Sequence, residues 1–140
     1  MGVARTGVFV DSGGWIALFR SRDAHHEAAD AMFRRAIAER IPLLTTNLVV
    51  AEVHRFVLHR VGIRPASISL ERITTSRHVK VLFPAAEHHR EAKRWLSRLG
   101  DQALSYTDAT SFAVMKAQRV ETALTFDHHF VVAGFTAWSV

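Results

Sequence analysis

The chain contains no cysteine, which excludes disulfides, thiolate zinc sites and a cysteine nucleophile, and suits a reducing, cytoplasmic setting. No apolar run approaches the roughly 18 residues of a membrane-spanning helix, and positions 1–14 lack the long apolar core of a secretory signal. A soluble protein without a membrane partner is therefore expected. Internal repeats, low-complexity tracts and linkers are also missing. So is HExxH or any comparable zinc-ligand spacing, although the chain has nine histidines. The pairs His25-His26, His88-His89 and His128-His129 are neighbours in sequence, and adjacent residues on a helix point apart, so neither partner of a pair is expected to share an ion with the other.

What is present fits one globular domain over residues 1–140. Half the composition is apolar (49%), and a chain of this length buries roughly two thirds of its unfolded surface. The net charge of +5, carried mostly by arginine, favours an anionic partner, because planar guanidinium groups suit phosphate and long-range attraction speeds encounter. Those arginines are scattered rather than gathered in one tract. Gly2 and Thr6 match the loose N-myristoylation pattern, a short motif that matters only where the eukaryotic enzyme exists.

Apolar periodicity predicts alternating strands and helices. A buried strand at Gly7–Val10 precedes a helix over Ser12–Phe19, and Asp23 is the expected N-cap of a second helix that carries Ala28, Ala29, Met32, Phe33, Ala36 and Ile37 on one face. A strand at Leu43–Thr45 leads into a helix over Asn47–Val61 that Gly62 stops, and Pro65 begins a connection to a helix over Ala66–Thr75. Further on come a strand at Val79–Phe83, a helix from Ala85 to Leu99, a helix opened by Thr107 and Asp108 and running to Gln118, a strand at Thr122–Phe126, a short helix at His128–Ala133 and an edge strand at Phe135–Val140. Five strands alternating with helices imply a three-layer α/β/α domain with a central, mostly parallel five-stranded sheet, since parallel neighbours need crossovers and helices cover both faces.

Four acids stand out in this rhythm. Asp11 and Asp127 each close a short apolar run, and the carboxyl ends of parallel strands share one edge, where such residues converge on a crevice. Singly, Asp11, Asp108 and Asp127 also suit a helix first turn, where Asp satisfies free backbone N–H groups. Glu52 lies mid-helix beside the apolar face, with Leu48 and Val49 a turn before it and Phe56 a turn after. An ion pair with Arg55 is its structural alternative. Gathered without a cation, the four would repel one another and hold protons, whereas a divalent ion removes the conflict. Oxygen-only ligands favour Mg²⁺ or Mn²⁺, and such a site suits phosphodiester cleavage.

Read in order, Val10-Asp11-Ser12, Asp23-Ala24-His25-His26, Thr45-Thr46 with Ala51-Glu52-Val53, Tyr106-Thr107-Asp108-Ala109 and Thr125-Phe126-Asp127-His128-His129-Phe130 resemble, over nearly the whole chain, a PIN-domain nuclease of the VapC-type toxin group. The resemblance implies an acidic metal pocket of Asp11, Glu52, Asp108 and Asp127, supported by the hydroxyls of Ser12 and Thr107. Asp11 and Asp108 are the leading ligands. Glu52 binds through water or orients the hydrolytic water, and Asp127 is a second-site ligand or an outer acceptor. It further implies an RNA substrate, an antitoxin whose segment covers the pocket with an arginine, and a homodimer. One departure is Gly13-Gly14, where relatives often carry a hydroxyl or an aliphatic residue, and a looser turn is expected there.

The chemistry expected from that pocket is attack of water on an RNA phosphodiester, leaving a 5′-phosphate rather than a cyclic phosphate. Arg20, Arg22, Arg55, Arg60 and Arg64 are candidates for holding the backbone. The competing readings are a PIN-like domain that binds RNA or protein without cutting, and a stand-alone RNA-processing nuclease. An aspartyl phosphatase is disfavoured because Gly13 replaces the second acid of Asp-x-Asp. A receiver domain is disfavoured because none of Lys80, Lys93 and Lys116 follows a late strand. The helix over 48–61 and the segment through Leu70 offer a groove for a protein partner.

Overall fold

Val8, Phe9 and Val10 form an uninterrupted apolar run, and successive strand residues point to opposite faces, so this segment has to be covered on both sides. It is the centre of the structure: the three are 0%, 1% and 0% exposed. The computed structural model describes residues 6–139. Strand β1 (Val8–Val10) is followed by α1 (Ser12–Phe19), α2 (His26–Ala38), β2 (Leu43–Thr46), α3 (Asn47–Arg60), α4 (Ile63–Thr75), β3 (Val79–Leu82), α5 (Ala86–Arg98), α6 (Tyr106–Gln118), β4 (Thr122–Leu124), α7 (His129–Val132) and β5 (Thr136–Ala137). Gly2, and with it the myristoylation pattern, lies outside the described residues, as does Val140.

The strands form one sheet in the order β3-β2-β1-β4-β5, and all four pairings are parallel. Connections from β1 to β2 to β3 step one way along it, and those from β3 to β4 to β5 step back. Right-handed crossovers then put α1–α4 on one face and α5–α7 on the other. The packing agrees: α1 contacts α2 and α3, and α3 contacts α4, while α6 contacts α5 and α7. Each layer has an aromatic anchor. Trp15 and Phe33 meet at 5.0 Å in the first, and Phe112 meets Trp95 at 5.3 Å and Phe130 at 4.9 Å in the second. The chain therefore reverses direction beside β1, so the carboxyl ends of β1 and β4 flank a crevice.

Several boundaries differ from expectation for local reasons. Asp23 is not the N-cap of α2. Its Oδ1 accepts from the His25 amide at 2.8 Å, forming a turn that ends at the residue before the helix. Pro65 lies inside α4 rather than ahead of it, in the first turn, where a missing N–H leaves no helical bond unmade. Gly62, with φ +143°, separates α3 from α4. Helix α6 begins at Tyr106 because Ser105 caps it, its Oγ accepting from the Asp108 amide at 3.0 Å. Thr125 and Phe126 leave the sheet after Leu124, which shortens β4, and β5 keeps two residues.

The Gly13-Gly14 turn is tight rather than loose. A Cβ on Gly14 would sit 2.7 Å from the Leu124 carbonyl oxygen, a backbone atom in the sheet, and 2.8 Å from the Leu124 Cδ2. Glycine there lets α1 lie directly against β4. Gly13 faces only the Asp11 Oδ1, at 3.5 Å. Gly14→Ala is predicted to lower stability by about 1–3 kcal/mol through overpacking, whereas Gly13→Ala is expected to match or exceed the parent because alanine favours helix. Urea denaturation of the two variants checks this.

Candidate active site

Because β1 is buried on both faces, the residue that follows it starts out buried as well. Asp11 is 5% exposed. Its carboxylate is held at both oxygens: Oδ1 accepts from the Gly14 amide at 2.8 Å, capping α1, and Oδ2 accepts from the Thr125 hydroxyl at 2.6 Å. The cap and the site are thus the same residue. Burial pushes its carboxyl up to about 7 from an ordinary 3.8. The Thr125 and Gly14 hydrogen bonds oppose that rise, and the charges of Asp108 and Asp127 add to it.

Thr125 joins two of the acids. While its hydroxyl donates to Asp11, its oxygen accepts from the Asp127 amide at 3.0 Å. Asp127 Oδ1 then accepts from the His129 amide at 2.9 Å, which fixes the turn into α7. The His129 imidazole Nδ1 lies 3.0 Å from the same oxygen, an ion-pair distance without hydrogen-bond alignment. The histidine expectation needs correcting here. His128 precedes α7, which begins at His129, and the two rings approach to 4.3 Å and with Asp127 offer ligand atoms within 4.8 Å of one another.

Asp108, in the first turn of α6, is relieved of capping by Ser105. Burial raises its carboxyl above the ordinary range, the charges of Asp127 and Glu52 raise it further, and the Ser105 hydroxyl and His129 offset part of this. Electrostatic coupling therefore links Asp11 to Asp108 and Asp127, and Asp108 to Asp127 and Glu52. All four predicted acids are brought into one neighbourhood. Among the described residues Glu52 makes no ion pair, with Arg55 or otherwise, so its structural alternative is not realised. Ser12 and Thr107 are both half-buried. Ser12 and Glu52 line a groove of about 370 Å³ with Arg55, Phe56, His59 and Arg60.

The donor set fits a hard divalent cation. The carboxyls of Asp11 and Asp108 are raised by burial first and by neighbouring acids second, and no lysine or arginine pairs with them among the described residues, so a hard cation is what would relieve their charge. Sequence reasoning passed over Thr125 as a site residue. Its partner Asp11 is 114 positions away, and a hydroxyl at a strand end carries no local sign of such a bond. Ser105 was also passed over, although Ser105 followed by Asp108 has the S-x-x-D form of a helix start. Of the five candidate arginines, Arg55 and Arg60 line the groove beside Glu52, and Arg20 and Arg60 lie over the Phe56 ring at 5.9 and 5.3 Å.

Comparison with known proteins points the same way. The PIN domain family profile matches residues 8–135. Over 129 residues the chain is 36% identical to the 23S rRNA-specific endonuclease VapC20 of Mycobacterium tuberculosis, in strains H37Rv and CDC 1551, across 91% of this chain and 95% of that protein. The crystal structure of that species' VapC20, described as a sarcin-ricin loop cleaving toxin, superposes with a TM-score of 0.85 at 33% identity, covering 96% of this chain and 100% of that one. FitAcB from Neisseria gonorrhoeae superposes at 0.69 with 17% identity, over 94% of this chain and 96% of that one, a likeness of fold alone.

Two predictions follow from the Asp11 environment. In metal-free protein the carboxyl with its raised folded value favours the native state while protonated, so that contribution is complete below about pH 3.8 and is lost as pH rises through about 7. Mg²⁺ or Mn²⁺ bound at this carboxylate would oppose the loss, so the rise in unfolding temperature on adding metal should grow from pH 5 to pH 8, read by differential scanning fluorimetry. Thr125→Val removes the hydroxyl that holds Asp11 Oδ2 and the Asp127 amide. It is expected to cost about 1–3 kcal/mol of stability and to weaken metal binding at pH 7, measured by calorimetric titration.

Proposed function

The chain belongs to the PIN-domain family, and on that premise we propose that it is a metal-dependent endoribonuclease, one nuclease domain over residues 1–140, acting as the toxin of a toxin–antitoxin pair. A structured ribosomal RNA is the proposed substrate class, by analogy with the relative named for 23S rRNA. The observation that carries the reading is a buried carboxylate, Asp11, whose protonation is pushed up to about 7 by burial and by two further acids at the same sheet edge. That arrangement is costly without a cation and serviceable with one.

Asp11 and Asp108 are the proposed metal ligands. Asp11 is locked by Gly14 and Thr125, so its donor atom does not have to be ordered on binding. Glu52, on the groove side and without an ion-pair partner among the described residues, acts through water: it orients the nucleophile or takes its proton. Asp127, with Oδ1 committed to His129, is the outer acceptor that keeps Thr125 and α7 in register. Once bound, Mg²⁺ or Mn²⁺ supplies the Lewis acidity that activates water for in-line attack and offsets the charge growing on the phosphoryl oxygens. Arg55, His59 and Arg60, beside Glu52, hold the flanking phosphates.

The same proposal includes an antitoxin and a homodimer. Val61, Ile63 and Ile68 are exposed apolar residues around the α3–α4 junction, next to a smaller cavity of about 180 Å³ that shares Ile16 and Phe56 with the arginine-lined groove. A continuous strip from α4 to the acidic pocket suits an antitoxin segment with apolar residues followed by a cation. Among the described residues no helix is long and apolar enough to cross a membrane, and cytoplasmic action is part of the proposal.

The test is cleavage of ribosomal RNA by partner-free protein with Mn²⁺ or Mg²⁺. Cutting that yields 5′-phosphate ends and disappears in EDTA and in folded Asp11→Asn and Asp108→Asn variants is expected. Cyclic phosphate ends, or cutting that survives both substitutions, would refute the assignment. Arg55→Ala and Arg60→Ala are each predicted to flatten the dependence of log K for single-stranded RNA on log salt by about 0.7, read from fluorescence anisotropy titrations at several salt concentrations.

A further inference from the structure

We propose that the stacked rings of His25 and Phe126 form a base platform at the rim of the acidic pocket, on which a nucleobase adjoining the scissile phosphate stacks. The proposal rests on the ribonuclease reading above. The His25 and Phe126 ring centroids are 4.2 Å apart and the planes differ by 5°. Phe126 stands between Thr125 and Asp127, so its Cα is one peptide, about 3.8 Å, from that of Asp127. Phe126 is half-buried and His25 exposed, so the histidine is the outer member of the pair.

This stack differs from the molecule's other aromatic pairs. Trp15 and Phe19 are also near parallel, at 6.0 Å and 16°, but Trp15 is a core residue. His89 and Tyr106, near Asp108, meet edge-on at 61°, with His89 Nδ1 and the Tyr106 hydroxyl 3.0 Å apart, so that pair spends its polar groups on each other. Among the described residues, the His25–Phe126 pair alone combines face-to-face geometry, an exposed ring and sequence adjacency to a pocket acid.

Loop anchoring does not account for the ring. The turn before α2 is fixed by the His25 amide donating to Asp23 Oδ1 at 2.8 Å, and by His26, whose Nδ1 donates to the Ala17 carbonyl at 2.7 Å. Those two bonds hold the backbone, and among the described residues the His25 imidazole makes no hydrogen bond or ion pair and stacks on Phe126. A ring held flat from beneath, with its neighbours pinned, loses little freedom when a base lies on it. RNA-cutting sites need that, because splayed bases in loops are recognised by aromatic stacking. Stacking tolerates any base, so the platform positions the strand while base identity is read elsewhere.

The test uses the full chain in an Asp108→Asn background, to prevent turnover, and anisotropy titration with a fluorescein-labelled single-stranded oligoribonucleotide of mixed sequence. His25→Ala is expected to weaken binding roughly five- to a hundredfold with the unfolding temperature unchanged. His25→Phe and His25→Trp are expected to restore affinity, and the introduced tryptophan's fluorescence should be quenched on RNA binding. Equal affinity for His25→Ala and its parent overturns the platform alone, as does an affinity loss that neither aromatic replacement restores. A parent that binds no RNA overturns the platform and the ribonuclease reading together.

Discussion

The desolvated carboxylate of Asp11 is the constraint on which the site depends. It follows from the core: Val8, Phe9 and Val10 must be covered on both faces, the strand at the centre of a parallel sheet is the most covered of all, and the chain can turn only after its last residue. An Asp at that turn is buried before any function is asked of it. Its burial then dictates the neighbours. The Gly14 amide and the Thr125 hydroxyl are needed to hold it. Thr125 must leave β4 early to reach it, and glycine is required at position 14 so that α1 can approach the Leu124 carbonyl closely enough to deliver that amide. A stability requirement and the geometry of the acidic edge are met by the same three residues.

Electrostatics at this edge has two opposing parts. The amino ends of α1, α6 and α7 point toward it, and partial positive charge at a helix start favours carboxylates. Against that stand burial and the repulsion among Asp11, Asp108, Asp127 and Glu52. For Asp11 and Asp108 burial is the larger effect, and both carboxyls are raised. Helix ends alone therefore do not neutralise the pocket, and His129 offsets only part of the charge on Asp108. An edge that retains net demand for positive charge after its own helices have contributed attracts a cation from solution or from a partner protein. Both kinds of occupant in the proposed function draw on that one imbalance.

Most of the architecture was legible in the sequence because it rests on short-range patterns. Continuous apolar runs marked β1 and β4, 3.6-residue periodicity marked the helices, and alternation alone implied a parallel sheet with covered faces. The four acids could be read because each sits at a strand end, in a helix first turn or on an otherwise apolar helix face. The errors came where side chains compete locally. Asp23 has the form of a cap but bonds the amide two residues on, Ser105 takes the capping role that the sequence places one turn later, and Pro65 signals a boundary although a first helical turn accepts it. Thr125 was passed over for a different reason. Its bond to Asp11 joins the two ends of the chain, and nothing in the residues around position 125 reports what lies across the sheet.

The division of labour around the pocket follows from which elements are free to vary. Asp11 and Thr125 are tied into the sheet and each other, so their positions are set by the core. Glu52 and the arginines beside it sit on α3, whose inner residues Val49, Val50, Val53 and Val57 are buried while Arg55, His59 and Arg60 face outward. One face of that helix thus belongs to the fold and the other to whatever approaches the pocket. His25 stands in the same relation to α2: the helix and its turn are fixed by other groups, and the ring remains available. On the proposed function, the sheet-anchored residues would supply the oxygen ligands, where displacement of an ångström is costly, and the recognition groups are carried on surfaces that the core leaves unconstrained. On that same proposal, substitutions at Asp11 and Thr125 therefore disturb chemistry and stability together, whereas Arg55, Arg60 and His25 can be exchanged with the fold intact, so that the strength with which an RNA strand is held can change without cost to the core.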